Sequence, residues 1–207
     1  MYLTRAETSS KIPIPRKGTR YLARALSHVR DGVPAVIALR DMIGLAETAR
    51  EVKLLIKSES LKINGKIVRD YRESIRLFNI FEAGDKKYKL TILPTGRWNF
   101  EETSSSERLC KILNKKILTS GKIQINLHDG SNLISKKQMN IGDSLLIGTD
   151  GKIIDEIPLK KGGKAFVYSG KSVGLTGTIE NINEKKILIK LGDKVTELYQ
   201  SHVIAIK

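Results

Sequence analysis

The sequence predicts an α+β protein built from several small domains. The chain has 207 residues, which is enough for two or three small domains or one large one. Two short helix patterns precede a hairpin signal in the first half, and the rest consists mainly of short β-prone runs with glycine-containing turns. We therefore divide the chain into a basic N-terminal arm (1–32), a helix-helix-hairpin domain (33–83), a central small β-barrel with one helix (84–164) and a C-terminal small β-barrel (165–207).

The N-terminal segment is predicted to be a basic, extended arm. Pro13 and Pro15 disfavour a continuous helix there. The cations of the segment are Lys11, Arg16, Lys17, Arg20, Arg24 and Arg30. A short helix from Tyr21 to Val29 is compatible with the pattern. A solvated tail and an arm that becomes ordered on RNA have the same composition, so both interpretations stay open.

The helix-helix-hairpin domain gives the clearest helix signals. Pro34 suits the first turn of a helix, and the apolar residues Val36, Leu39 and Ile43 recur on one face. The segment Thr48–Glu51 matches a capping box, in which the first side chain and the fourth satisfy free backbone amides. A second helix is therefore predicted to begin there.

Cations cluster on the second helix and beside the hairpin turn that follows it. Asn64-Gly65 lies between two short β-prone runs and predicts a tight hairpin, because both turn residues then take positive φ. The cations are Arg50, Lys53 and Lys57 on one face of the helix, and Lys62 and Lys66 beside the turn. A charged helix face is commonly only solvated, but the nearby hairpin lysines favour contact with a phosphate backbone.

The central domain is predicted to be mostly β. Strand-like runs occupy residues 88–93, 122–127 and 144–147, with turns between them. The segment Ser104–Glu107 is a second capping-box pattern, which predicts a helix through about Leu113. We expect the ring of Trp98 to pack in the core.

The segment around Gly170-Lys171-Ser172 admits two interpretations. It resembles a loose Walker A loop, which would make the chain a nucleotide-binding protein. A Walker A loop leads into a helix, but the next residues include Gly174 and Gly177, and each glycine costs a helix interior about 1 kcal/mol. Too few residues follow for the parallel sheet that houses such loops. A glycine turn between two strands is therefore favoured.

Composition limits the classes of function. The formal net charge of +15 predicts an anionic partner, with nucleic acid ahead of an acidic membrane surface. No apolar run approaches the roughly 18 residues of a membrane helix. The single cysteine, Cys110, excludes an internal disulfide, favours an intracellular location and is expected to be a buried residue on a helix.

The sequence shows no group of residues with the spacing of a metal site or a catalytic site. His28, His128 and His202 share no metal-ligand spacing with each other or with Cys110, so no metal is predicted. The sequence likewise contains no recognisable catalytic motif. We therefore predict no catalytic residue, no cofactor and no small-molecule substrate.

Three segments together resemble one family. The two helices and the Asn64-Gly65 hairpin, with Arg50 opening the second helix, resemble the S4-type RNA-binding fold, and Val167–Ile179 resembles the KOW motif. Residues 122–132 and 140–147 are similar to the central domain of the S4e family of archaeal and eukaryotic small-subunit ribosomal proteins. The order of arm, RNA-binding fold, central β domain and KOW barrel covers essentially the whole chain.

The resemblance implies a structural constituent of the small ribosomal subunit, in the cytoplasm, without catalytic activity. It also implies contact with the ribosomal RNA of the small subunit and with neighbouring small-subunit proteins. The residues assigned to RNA contact are Arg50, Lys53 and Lys57 of the second helix, Lys62 and Lys66 of the hairpin, Arg40 of the first helix, Lys171 of the glycine turn, and Arg16, Lys17 and Arg20 of the arm. The segment Tyr21–Val29 departs from the family, whose arm usually has a Pro/Gly-rich stretch there.

An alternative of another class is an RNA-modifying enzyme that carries the S4-type fold as an appended reader. Such an enzyme needs a separate catalytic domain. Residues 84–207 divide into two small β units and leave little room for one.

Overall fold

The computed structural model describes residues 2–119, 121–183, 185–192 and 194–207. The chain forms two compact units, Met1–Ser106 and Glu107–Lys207, and both are rich in antiparallel β structure. The predicted multi-domain, β-rich organisation is confirmed, with two short helices among the described residues.

The first unit contains nine strands and two helices among its described residues. In chain order these are β1 (Tyr2–Thr4), β2 (Tyr21–Ala23), β3 (Gly32–Pro34), α1 (Ala35–Ile37, continuing as a π-helical stretch, Ala38–Ile43), α2 (Ala49–Lys57), β4 (Leu61–Ile63), β5 (Lys66–Ile67), β6 (Ser74–Arg76), β7 (Ile80–Ala83), β8 (Lys86–Ile92) and β9 (Trp98–Glu102). A five-stranded sheet has the order β5-β4-β7-β8-β9, and two ribbons pair β1 with β2 and β3 with β6.

Local sequence signals account for the helices and the hairpin of this unit. Residues 33–39 are buried, and Gly44 ends the first helix with φ of 78°. The hydroxyl of Thr48 accepts from the Glu51 amide at 3.3 Å and therefore caps α2 as predicted. Asn64 and Gly65 take φ values of 51° and 78°, which is the left-handed pair that a tight hairpin requires.

The division between residues 83 and 84 falls inside one sheet of the first unit. Strand β7 pairs with β8, and β8 pairs with β9, so residues 84–106 fold together with residues 33–83. The boundary between the two compact units lies between Ser106 and Glu107, and the backbone hydrogen bonds of β8 and β9 lie within the first unit.

The second unit contains two five-stranded antiparallel sheets. Its elements are β10 (Glu107–Ile117), β11 (Ile123–Leu127), β12 (Asn132–Ser135), β13 (Ser144–Gly148), β14 (Ile153–Ile157), β15 (Lys164–Val167), β16 (Thr176–Ile182), β17 (Lys186–Leu191), β18 (Lys194–Tyr199), a 3₁₀ turn (Gln200–His202) and β19 (Val203–Ile206). The sheets have the orders β12-β11-β10-β13-β14 and β18-β17-β16-β15-β19. Within the described residues, the first and last strands of each sheet do not pair with each other. The hydrogen bonds therefore do not close either sheet into the predicted barrel.

Two helix predictions were wrong. The segment from Ser104 to Leu113 forms an irregular stretch through Ser106 and then the start of β10, because β13 pairs with Glu107–Lys111 and β11 with Ile112–Ile117. Pairing on both sides of β10 outweighs a local capping pattern. The short helix from Tyr21 to Val29 is absent from this described segment, because Tyr21–Ala23 pairs with β1 instead.

Candidate nucleic-acid interface

The three cations of α2 lie together on its exposed side. Val52 is fully buried, whereas the side chains of Arg50, Lys53 and Lys57 are exposed to solvent. Within the described parts of the chain, none of the three cations forms an ion pair. We call these three residues the α2 face; the Asp70 carboxylate lies close enough to Lys53 for the lysine charge to contribute to lowering the Asp70 pKa.

The ring of Tyr71, beside the α2 face, lies close to two cations, Lys53 and Arg72. The Lys53 Nζ lies 5.1 Å from the centroid of the Tyr71 ring, and the guanidinium carbon of Arg72 lies 5.5 Å from the same centroid. Arg72 also donates two hydrogen bonds to Asp70, at 3.1 and 2.8 Å, and these bonds lower the pKa of the Asp70 carboxyl. Sequence reasoning missed Tyr71 and Arg72, because they become neighbours of α2 only in the folded chain.

The two hairpin lysines point to opposite faces of their sheet. Lys62 is paired with Ile67 and Ile63 with Lys66, so successive residues alternate and Lys62 and Lys66 face apart. On the other side of β4, Lys62 is paired with Glu82. Both lysines are exposed, but the structure does not bring them to one surface.

The predicted arm is folded around the side chain of Arg5. Its guanidinium donates to the carbonyl oxygen of Thr19 at 2.7 Å, to the Thr19 hydroxyl at 3.0 Å and to the carbonyl oxygen of Pro15. Gly18 has a φ of 141°, a conformation that residues with a Cβ rarely adopt, and it lies against the Arg5 guanidinium. The loop between β1 and β2 thereby exposes Arg16, Lys17 and Arg20.

Arg40 differs from the other predicted contacts. Its Nε and Nη2 donate to the two carboxylate oxygens of Asp41, at 3.1 and 2.8 Å. This fork-to-fork pair places a carboxylate directly beside the Arg40 guanidinium.

The glycine turn holding Lys171 is a strand connection. The Gly174 amide donates to the carbonyl oxygen of Val167 at 2.7 Å, and the Val167 amide donates to Leu175 at 2.9 Å. The turn leads into β16, and a Walker A loop would lead into a helix. The nucleotide-binding interpretation is therefore wrong, and Lys171 is an exposed cation on a turn.

A cross-strand row of two lysines on either side of a threonine, on the sheet β18-β17-β16-β15-β19 of the second unit, was not predicted. Lys164 on β15 is paired with Thr178 on β16, which is paired with Lys190 on β17. All three side chains are exposed. Cross-strand pairing creates this row, so the separation of its members in sequence concealed it.

Buried polar groups of the second unit are structural. Lys111 is only 3% exposed, and its Nζ donates to the carbonyl oxygen of Val203 at 2.7 Å and to that of Gln200. Burial lowers the pKa of Lys111 from its usual 10.5 to about 8.

Arg108 pairs with Asp129, and burial raises the pKa of the neighbouring Cys110 thiol. Cys110 is buried as predicted, although on a strand.

Among the described residues there is no group of three or more His, Cys, Asp or Glu side chains that could hold a metal ion. No helix of the described chain is both long enough and apolar enough to cross a membrane.

A β-rich protein with a net charge of +15 and exposed cations on several elements is typical of the nucleic-acid-binding proteins. The family model described as ribosomal family S4e matches residues 84–154. The small ribosomal subunit protein eS4 of Methanospirillum hungatei is 32% identical over 189 residues, which are 86% of this chain and 78% of the relative. The eS4 protein of Desulfurococcus amylolyticus is 30% identical, with 91% of this chain and 84% of the relative covered.

The fold is also similar to a solved member. The crystal structure of the 30S ribosomal protein S4e from Thermoplasma acidophilum matches with a TM-score of 0.73 and 26% identity, covering 85% of this chain and 95% of that one. The chain belongs to the ribosomal S4e family. The predictions of this family, of a structural constituent of the small ribosomal subunit and of a protein that is not an enzyme are thereby confirmed. The RNA-modifying alternative has no support in the family.

Proposed function

We propose that this chain binds the ribosomal RNA of the small subunit through several separate basic surfaces, in the cytoplasm, and supports the folded RNA there. In this proposal residues 33–83 act as an S4-type RNA-binding domain, 84–164 as the central domain and 165–207 as a KOW-type domain. Neighbouring small-subunit proteins are further partners.

The α2 face carries the proposal. From Arg50 to Lys57 the helix rises about 10 Å, so its cations contact several phosphates of one RNA strand. Exposed cations that form no ion pair are the groups that release counterions from a nucleic acid on binding. The cap at Thr48 holds the first turn of the helix in place, and a hydrogen bond from the Glu47 amide to Glu51 lowers the pKa of the Glu51 carboxyl and extends that cap.

The other basic positions form separate contacts. Arg16, Lys17 and Arg20 present a second surface on the arm loop, while Lys62 and Lys66 reach RNA from different sides of the hairpin. Lys171 adds a contact from the glycine turn. Arg40 remains in the proposed set, but its pairing with Asp41 leads us to expect the smallest effect there.

The decisive variant removes the α2 face. We expect Arg50→Ala/Lys53→Ala/Lys57→Ala to reduce affinity for transcribed small-subunit ribosomal RNA on the order of 10- to 100-fold at physiological salt. The slope of log affinity against log salt becomes shallower by about 2, because three fewer counterion-releasing contacts form. Filter binding at several KCl concentrations measures both quantities.

A matched control removes the same charge elsewhere. Lys116→Ala/Lys136→Ala/Lys152→Ala deletes three exposed lysines of the second unit that lie outside the proposed set. We expect it to retain most of the affinity. Equal losses in the two triple variants would mean that net charge alone drives binding, and would contradict the proposal.

A further inference from the structure

Two tyrosines stand exposed on the ribbon of β1 and β2. The side chains of Tyr2 and Tyr21 are 76% and 50% exposed, and their ring centroids lie 5.6 Å apart with the planes tilted by 43°. The ribbon pairs Thr4 with Tyr21 and Leu3 with Leu22. Both rings therefore lie on one face of the ribbon, and the buried Leu22 lies on the other.

Folding of the ribbon does not account for these rings. The buried side chain of the ribbon is Leu22, and exposed hydrogen bonds of Arg5 hold the loop that connects its strands. A large aromatic side chain gains free energy mainly by being covered, and here two adjacent tyrosines leave 76% and 50% of their area in water. The face is therefore suited to a partner that covers aromatic rings.

Cationic side chains lie near both tyrosine rings. The guanidinium carbon of Arg20 lies 5.3 Å from the centroid of the Tyr21 ring. On the other side, Tyr2 borders a groove of about 760 Å³, whose lining also includes Lys11, Arg24 and Arg30. The groove also contains two carboxylates: Asp31 pairs with Lys11 at 3.0 Å, and Glu7, which accepts from the Thr4 hydroxyl at 2.7 Å, stays charged, so the groove lining keeps a small net positive charge.

We propose that Tyr2 and Tyr21 form a stacking platform for an unpaired nucleotide of the ribosomal RNA. The base stacks on the exposed rings, and the sugar-phosphate backbone passes Arg20 and the basic groove. This inference rests on the proposed function, because it specifies which kind of ribosomal RNA element binds to the arm.

The chemistry favours an unpaired nucleotide over duplex RNA or a protein. Bases inside a duplex are stacked on each other and offer no face, whereas splayed bases stack on aromatic side chains and on arginine planes. A protein partner would cover the rings equally well, but the arginines beside them and the basic loop at Arg16 and Lys17 favour an anionic partner.

The test compares two paired variants of the full chain. We expect Tyr2→Leu/Tyr21→Leu to weaken affinity for transcribed small-subunit ribosomal RNA by about 5- to 100-fold, the range of losing one or more stacked bases. The salt slope stays unchanged, because stacking releases no counterions. Tyr2→Phe/Tyr21→Phe keeps the rings and should retain the affinity.

A third variant and a stability check complete the design. Tyr199→Leu removes a tyrosine of similar exposure, 55%, from the second unit and should have no effect. If Tyr2→Leu/Tyr21→Leu lowers the melting temperature, the single variant Tyr2→Leu replaces it, because Tyr2 is the more exposed of the two rings. Its affinity for the ribosomal RNA then tests the platform.

The outcomes separate this inference from the proposed function. Absence of binding by the unaltered protein overturns the proposed function itself. Normal binding that the leucine pair leaves intact overturns the platform alone. If the leucine pair binds RNA normally but is lost from assembled small subunits, the rings contact a neighbouring protein and the platform is again wrong.

Discussion

Lys111 shows how a charged residue of this chain serves structure and not binding. Its ammonium group is held by two backbone carbonyls of the segment 200–203 and lies 5.9 Å from the Tyr168 ring centroid. No carboxylate pairs with it within the described residues. Burial without an opposite charge is what lowers the pKa of this lysine.

This environment predicts a pH dependence of stability. The native pKa of about 8 lies below the usual 10.5, so the unfolded chain binds more protons between these values. The free energy of unfolding contributed by Lys111 therefore rises with pH in this window, by about 3 kcal/mol in total. Urea unfolding from pH 7 to 10.5 should show a rise in the unaltered protein that Lys111→Met lacks.

The control for this measurement is Lys116→Met, at an exposed lysine of the same strand. It should follow the unaltered protein at every pH. If the unaltered protein and Lys111→Met differ by a constant amount across the window, Lys111 keeps its ordinary pKa and the prediction is wrong.

At the scale of elements, a glycine in β16 permits the second sheet of the second unit to pack. A Cβ on Gly177 would lie 2.4 Å from the carbonyl oxygen of Lys190, a contact that backbone cannot relieve cheaply. We expect Gly177→Ala to destabilise the second unit by about 1–3 kcal/mol, as overpacking typically does. Chemical denaturation followed by far-ultraviolet circular dichroism measures the change.

The neighbouring exposed residue serves as control, since Thr178→Ala adds no atom at the contact. It should change stability by only a few tenths of a kcal/mol. Equal stability of Gly177→Ala and the unaltered protein would mean that the strands move apart without cost.

Elements encoded by nearby residues were the ones predicted correctly. The cap at Thr48 and the turn at Asn64-Gly65 depend on hydrogen bonds and φ values within a few residues, so their signals are local. Strand β10 was missed because its stability comes from two partners distant in sequence, and the ribbon of β1 and β2 was missed for the same reason.

For the whole molecule, the number of basic surfaces in contact with RNA sets the salt dependence. The exposed cations of the proposal are Arg16, Lys17, Arg20, Arg50, Lys53, Lys57, Lys62, Lys66 and Lys171. If each neutralises one phosphate, log affinity falls against log salt with a slope of about −6 to −8. A measured slope shallower than about −3 would restrict binding to a single surface.

The candidate interface could be predicted only where one element carries it. The α2 face follows from helical periodicity, and its exposure agrees with that pattern. The Lys164–Thr178–Lys190 row, the Tyr71 cluster and the Tyr2–Tyr21 pair each join residues from different elements. Such sites exist only after the chain has folded, so periodicity and spacing carry no signal for them.

The single tryptophan gives the arm an intrinsic optical probe. Trp98 is buried on β9, its amide donates to the carbonyl oxygen of Lys11 at 2.7 Å, and the Lys11 ammonium lies 5.4 Å from the ring centroid. Release of the arm would remove this cation and admit water to the indole, which shifts its emission to longer wavelength. Detachment or docking of the arm is therefore visible in unlabelled protein, without interference from a second indole.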